Sequence, residues 1–242
     1  MRRTVLGRAI WLMALLVCGW ARLSEAAPVS RNEAFGAASA LLPSFFPGDW
    51  FLADEITLHL LSGEAGAFLF VFESGGKTSD DQARNSPQEF VARTRADLAG
   101  QSGRPTGYEP ELRGEDRYAT IMISAEDTAP PVLRCFRGLP FQRVREVNAL
   151  DLAGREKDGK PWRVRHHLML GFFDEAFLVE PVDGGGDAMV VDLRTHAVVT
   201  EPDAQAQARL QSPRQPDPDL ARMSQEAWAP YRTESKTIGG AQ

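Results

Sequence analysis

Apolar and polar positions alternate in different rhythms along the chain, and each change of rhythm marks a predicted element. In residues 30–42, Phe35, Ala38, Leu41 and Leu42 recur at helical spacing. The stretch Ser30-Arg31-Asn32-Glu33 opens that helix as a capping box: the serine oxygen takes one orphan amide and Glu33 reaches back to another. Pro43 and Pro47-Gly48 are expected to end it. Residues 50–61 are ambiguous, with Ile56 and Leu58 alternating against Thr57 and His59. Residues 67–72 (AFLFVF) are apolar without interruption, which predicts a central strand covered on both faces. Residues 74–85 are a loop rich in Gly, Ser and Asp. Ser86-Pro87-Gln88-Glu89 is a second capping box, with proline at the first helical position. Phe90, Val91, Thr94 and Leu98 then share a face, and Gly100 closes the helix.

From residue 118 the spacing predicts strands over 118–124, 132–137, 144–152, 162–173, 176–180, 188–193 and 197–200. The links are short turns (154–159, 174–175, 183–187, 194–196), and short links between successive strands imply antiparallel hairpins. Beyond residue 200 the chain turns polar. Residues 212–218 hold three prolines and read as a linker, Asp217-Pro218-Asp219 opens a short amphipathic helix with Leu220, Met223 and Trp228, and a disordered tail is expected from Thr233. No internal repeat of solenoid or propeller period stands out. The predicted fold is α+β: a mostly antiparallel curled sheet or meander with two to four helices packed on one face. Residues 27–200 form the domain and 201–242 a helical extension.

The first 26 residues read differently. Arg2, Arg3 and Arg8 precede an apolar run of 12 residues (9–20), and a polar stretch leads to Ser24, Ala26 and Ala27. That is the charged, apolar and small-residue order of a secretory signal, with cleavage expected after Ala26. The run is short of the ~20 residues a membrane-spanning helix needs. The 242-residue chain carries 27 basic and 33 acidic residues; losing four arginines (2, 3, 8, 22) and Glu25 leaves 23 against 32, a net charge of −9. Such a balance lacks the electrostatic footprint for nucleic acid. The reading is therefore an extracytoplasmic protein, periplasmic or secreted, with no membrane span after cleavage. Cys18 leaves with the signal, so Cys135 is the single mature cysteine and no intramolecular disulfide can form.

Candidate chemistry is sparse. Cys135 is flanked by Arg134 and Arg137, which favours a thiolate, but it lies in a strand pattern where cysteine serves as a small apolar residue. His166 and His167 are adjacent, and neighbouring side chains of a strand point to opposite faces, so they cannot share one metal. Unbroken alternation puts His166 with Trp162, Val164, Leu168 and Leu170 in the core, and His167 with Arg163 and Arg165 on the rim. The pair Asp174/Glu175 is expected to be solvated in a turn. Asp183-Gly184-Gly185-Gly186-Asp187 lacks the ligand pattern of a calcium loop and reads as a hairpin turn. No cofactor is expected, since no phosphate loop, dinucleotide fingerprint, zinc-protease motif or serine elbow occurs.

Two stretches, residues 66–72 and residues 118–133, together resemble the propeptide and inhibitor domains of the streptopain-type cysteine proteases. In that family a strand opening with glycine and an aromatic precedes a second strand, which runs into a Ser-Ala-Asp-Asp type turn and a proline-valine-leucine stretch. Here these are Gly66-Ala67-Phe68 and Ser124-Ala125-Glu126-Asp127 followed by Pro131-Val132-Leu133. The likeness covers about 100 residues and departs from the family in the helical insertion at 86–100 and in the absence of a following protease domain. It implies an extracytoplasmic module that binds a protease or another protein, and carries over no catalytic residue. The expected function is accordingly a non-enzymatic protein- or ligand-binding module, with an envelope component as a further partner class. The alternative is an extracytoplasmic hydrolase using Cys135 or a His/carboxylate site.

Overall fold

The computed structural model describes residues 26–75, 86–99, 110–156, 161–170, 175–193, 195, 197–200 and 217–238. Residues 1–25 of the expected signal, residues 76–85 of the expected loop, residues 201–216, with all but the last two residues of the expected 212–218 linker, and the final four residues lie outside them. Helix α1 (Arg31–Phe45) starts where the capping box puts it: Ser30 Oγ accepts from the Glu33 amide at 3.3 Å and Glu33 returns a bond to the Ser30 amide at 2.8 Å. The helix continues through Pro43 and stops at Phe46. Strands β1 (Trp50–His59) and β2 (Ala65–Ser74) form a hairpin, α2 (Pro87–Ala99) follows, and β3 (Tyr118–Ser124) and β4 (Val132–Arg137) form the next hairpin. Helix α3 (Phe141–Glu156) leads into β5 (Trp162–Met169), β6 (Glu175–Pro181), β7 (Met189–Asp192) and β8 (Val198–Thr200), and α4 (Pro218–Ile238) closes the described chain. Residues 144–152, expected as a strand, lie inside α3. The Pro140 carbonyl accepts from the Arg143 and Val144 amides and opens that helix.

The eight strands of the described residues lie in one sheet of order β4-β3-β2-β1-β5-β6-β7-β8. Seven pairings connect them, and each is antiparallel except β1–β5, where Leu58 faces His167 and His59 faces Leu168 in a short parallel seam. The α+β class and the meander therefore hold. A pattern invisible in the sequence also emerges: a helix followed by a four-stranded meander occurs twice, as α1-β1-β2-β3-β4 and α3-β5-β6-β7-β8, with α2 inserted in the first.

The helices occupy both faces of the sheet, where one had been expected. On one face Ala34, Ala37, Ala38 and Leu42 of α1 pack on Phe68, Phe70, Phe72, Ala119, Ile121 and Ile123. Trp228 of α4 joins this core, fully buried. The other face takes Val91 of α2 and Val144 of α3 against Val71 and Tyr118, and Ala149 and Ala153 of α3 against Phe177, Val179 and Val191. Strand β2 is buried from Gly66 to Phe72, as its unbroken apolar run predicts. The extension is thus part of the domain core through α4, which is longer than the short helix expected. Among the described residues no helix is long and apolar enough to cross a membrane.

The sheet curls toward the α3 face. Five strand-to-strand steps separate β4 from β6, about 24 Å of backbone in a flat sheet. Yet Arg134 Nη1 of β4 lies 3.2 Å from Glu175 Oε1 of β6. Only strong curling brings two such side chains together. The described strands do not close into a barrel, and β4 and β8 remain edges.

Candidate functional site

A β-bulge decides which histidine is buried. The β5–β6 register shifts between Val164 and His166, so Arg165 is an extra residue and the alternation flips. His167, not His166, then shares the inward face with Trp162 and Val164. Its ring meets Phe177 edge-on at 5.3 Å, and Nδ1 finds no hydrogen-bond partner among the described residues. Burial, aided by the nearby Arg143 charge, pushes its pKa down to about 4, so it is neutral at pH 7. His166 stands on the opposite face, its ring 4.6 Å from that of His59. Burial and the His59 neighbour lower its pKa too. His59 Nδ1 is engaged with the Gly63 carbonyl at 3.0 Å. One core and one rim histidine are present, with the two roles exchanged from the sequence expectation.

On the curled inner face, polar groups from four elements meet. Gln142, fully buried near the start of α3, donates through Nε2 to Glu175 Oε2. Arg134 reaches Glu175 Oε1 closely enough to pair, but that oxygen is not aligned for a hydrogen bond. Burial raises the Glu175 pKa, with Arg134, Gln142 and Arg145 opposing. Arg145 in turn donates to the Leu193 carbonyl. Beside this group Arg143 clasps Asp54 of β1, Nε to Oδ2 at 2.6 Å and Nη2 to Oδ1 at 3.2 Å, a bidentate pair with little solvent on either side. Glu175, expected to be solvated, is thus the most enclosed carboxylate in the cluster. Its partners come from β4 and α3, distant in sequence, and nothing in the sequence distinguished it from Asp174.

Buried titratable groups with perturbed pKa are the ordinary mark of a functional centre, and ion pairs that hold a fold produce the same mark. Here the geometry favours the second role. The cluster spans the curl, joining β4 to β6 and α3 to β1. The nearby cleft along α3, lined by Arg145, Asn148, Leu152, Val191 and Asp192, is open and shallow, with a cavity volume of about 20 Å3, far below the ~300–1,000 Å3 of small-molecule sites.

Cys135 lies on the opposite face. It is half-buried against the α1-side core, and burial pushes its thiol pKa up, away from thiolate character. His59 and His166 share that face but are three and four strands away, roughly 14–19 Å at the usual strand spacing. Among the described residues Cys135 is therefore not brought to a histidine. His196 lies outside the described residues. Among the described residues no three His, Cys, Asp or Glu side chains gather as metal ligands.

The second feature is an aromatic end. Where α1 turns into β1, Phe45, Phe51 and Leu52 are 42%, 49% and 39% exposed. The Phe45 ring touches Phe46 at 6.4 Å, Phe46 touches Trp50 at 6.0 Å, and the Arg137 guanidinium covers both Phe46 (5.1 Å) and Trp50 (4.9 Å). Such stacking holds an Arg side chain and its aromatic bed in fixed places. The stretch Phe45-Phe46 and Trp50-Phe51-Leu52, interrupted by Pro47-Gly48, was the available sequence signal. No protein-family model matches the chain, and no curated protein or solved structure matches it either.

Proposed function

We propose that this is an exported, non-enzymatic module that binds a second extracytoplasmic protein through the aromatic end of its sheet. The observation that carries the reading is the exposure of Phe45, Phe51 and Leu52 at the end of the sheet where Arg137 covers the rings of Phe46 and Trp50. Aromatic residues and arginine are the side chains enriched at the anchoring centres of protein interfaces. The likeness of residues 66–72 and 118–133 to protease propeptide and inhibitor domains favours a peptidase as the partner class. Export rests on the charged, apolar and small-residue order of the first 26 residues.

The test is a photo-crosslinking residue at Phe51, with the same residue at exposed Val147 of α3 as the control, in the full chain expressed with its own leader. A single discrete adduct from position 51, absent from position 147 and lost in Arg137→Glu, supports the reading. Equal adducts from both positions, or none from 51, count against it.

A further inference from the structure

The turn between β3 and β4 holds a buried carboxylate that joins the two ends of the described chain. Asp127 is 3% exposed. Its Oδ1 accepts from the Ala27 amide at 2.8 Å, and its Oδ2 lies 3.0 Å from Arg232 Nη1 of α4. The segment at Ala27 is fixed there by a single antiparallel β-bridge and its flanking hydrogen bonds. The Val29 amide donates to the Ala125 carbonyl at 2.8 Å, the Asp127 amide donates to the Ala27 carbonyl at 3.2 Å, and Pro28 bridges Glu126. Trp228 Nε1 of α4 donates to the Ala129 carbonyl of the same turn at 3.0 Å. The residue whose nitrogen meets Asp127 is the one that becomes first when the leader is removed after Ala26.

We propose that leader removal between Ala26 and Ala27 creates an α-ammonium that pairs with the buried Asp127 carboxylate and latches α4 onto the turn. The inference rests on the export reading above. The step is a hydrolysis by the peptidase of the export machinery. One water is consumed, the Ala26 carboxylate departs with the leader, and the Ala27 amide nitrogen becomes a primary amine that is protonated at neutral pH. Before cleavage Ala27 offers Asp127 a single neutral N–H. Afterwards it offers a full positive charge beside a buried carboxylate in a part-buried site, where charge pairing is stronger than in open water. The charged groups facing the new amine are Asp127 and, through it, Arg232. Glu126 adjoins the strand bridge, and Glu33 of α1 lies within electrostatic reach of Arg232. An amine held by a carboxylate titrates above its ordinary ~7.7–8.0. Its stabilisation is then full below that ordinary value and is lost as pH rises through the raised one.

The experiment is made on the full chain expressed from Met1 in an export-competent bacterial host. N-terminal sequencing of the extracytoplasmic product is followed by acylation of its terminal amine at several pH values, native and in urea. The expected product begins at Ala27, and its amine is acylated about tenfold more slowly near neutral pH in the native protein than in urea, the effect of one unit of raised pKa. Asp127→Asn restores the urea rate; should that variant fail to fold, the wild-type comparison alone decides. A product beginning at Ala27 whose amine reacts equally fast in both states overturns the latch and leaves export standing. A product beginning elsewhere does the same. A chain that keeps Met1 and stays inside the cell overturns both.

Discussion

Trp228→Ala tests whether α4 is part of the core or an appendage. The Trp228 side chain is fully buried against Phe and Ile side chains of β2 and β3 and against α1, and its indole nitrogen satisfies the Ala129 carbonyl. Truncating a buried tryptophan to alanine removes the transfer energy of the ring and leaves a cavity, about 3–5 kcal/mol together. The orphaned Ala129 carbonyl adds up to about 1 kcal/mol if water does not reach it. An estimate near 4 kcal/mol is a large share of the ~5–15 kcal/mol that holds a domain folded. For a chain of this size it should lower the melting temperature by roughly 8–16 °C. The assay is urea denaturation of the protein followed by circular dichroism, with Met223→Ala as control. Met223 sits on the same helix but is 60% exposed, and its truncation should cost under ~0.5 kcal/mol. A Trp228→Ala loss below about 1 kcal/mol, or one equal to that of Met223→Ala, refutes the packing of α4.

Three further outcomes are expected. His167, neutral because its folded pKa is about 4, makes the protein lose stability as pH falls from ~6.5 toward 4, by up to about 3 kcal/mol, since the unfolded chain takes the proton more readily. His167→Leu should remove that dependence, and a gap between variant and wild type that stays constant from pH 7 to pH 4.5 rules the account out. Asp54→Ala strands the partly buried Arg143 guanidinium and should cost about 2–4 kcal/mol by urea midpoint; a near-neutral result means that water pairs Arg143 equally well. Gly114 has φ +54°, and a Cβ there would meet Phe90 at 2.9 Å and Tyr118 at 3.0 Å, so Gly114→Ala should cost about 1–3 kcal/mol and alter the near-ultraviolet signal of Tyr118.

What was legible in the sequence was local. Ser30 with Glu33, and Ser86 with Glu89, specify helix starts through contacts three residues apart, and both starts are observed. The apolar run of β2 needs no partner to announce a strand with two covered faces. Residues 144–152 misled because Val144, Val147, Leu150 and Leu152 mimic strand composition. The buried apolar set of α3, Val144, Ala149 and Ala153, includes two alanines that carry little weight in such a reading. The exchange of His166 and His167 follows from one extra residue at Arg165, and a bulge leaves no mark on an alternating pattern. Glu175 and Arg134 were beyond reach for a different reason: their contact exists only because the sheet curls, and curl is a property of all the strands together.

The repeated order of a helix and a four-stranded meander has a consequence for assembly. Each meander is built from strands adjacent in sequence, whereas the parallel seam joins Leu58 and His59 to His167 and Leu168, far along the chain. Closing such a long-range joint costs more loop entropy than pairing neighbouring strands. Two free subunits of this design would meet only as often as their concentration allowed. Here the three residues between β4 and α3, Gly138, Leu139 and Pro140, hold the second unit beside the first, at an effective concentration of millimolar order. The chain is in that sense a dimer carried on one polypeptide, whose association dilution cannot undo.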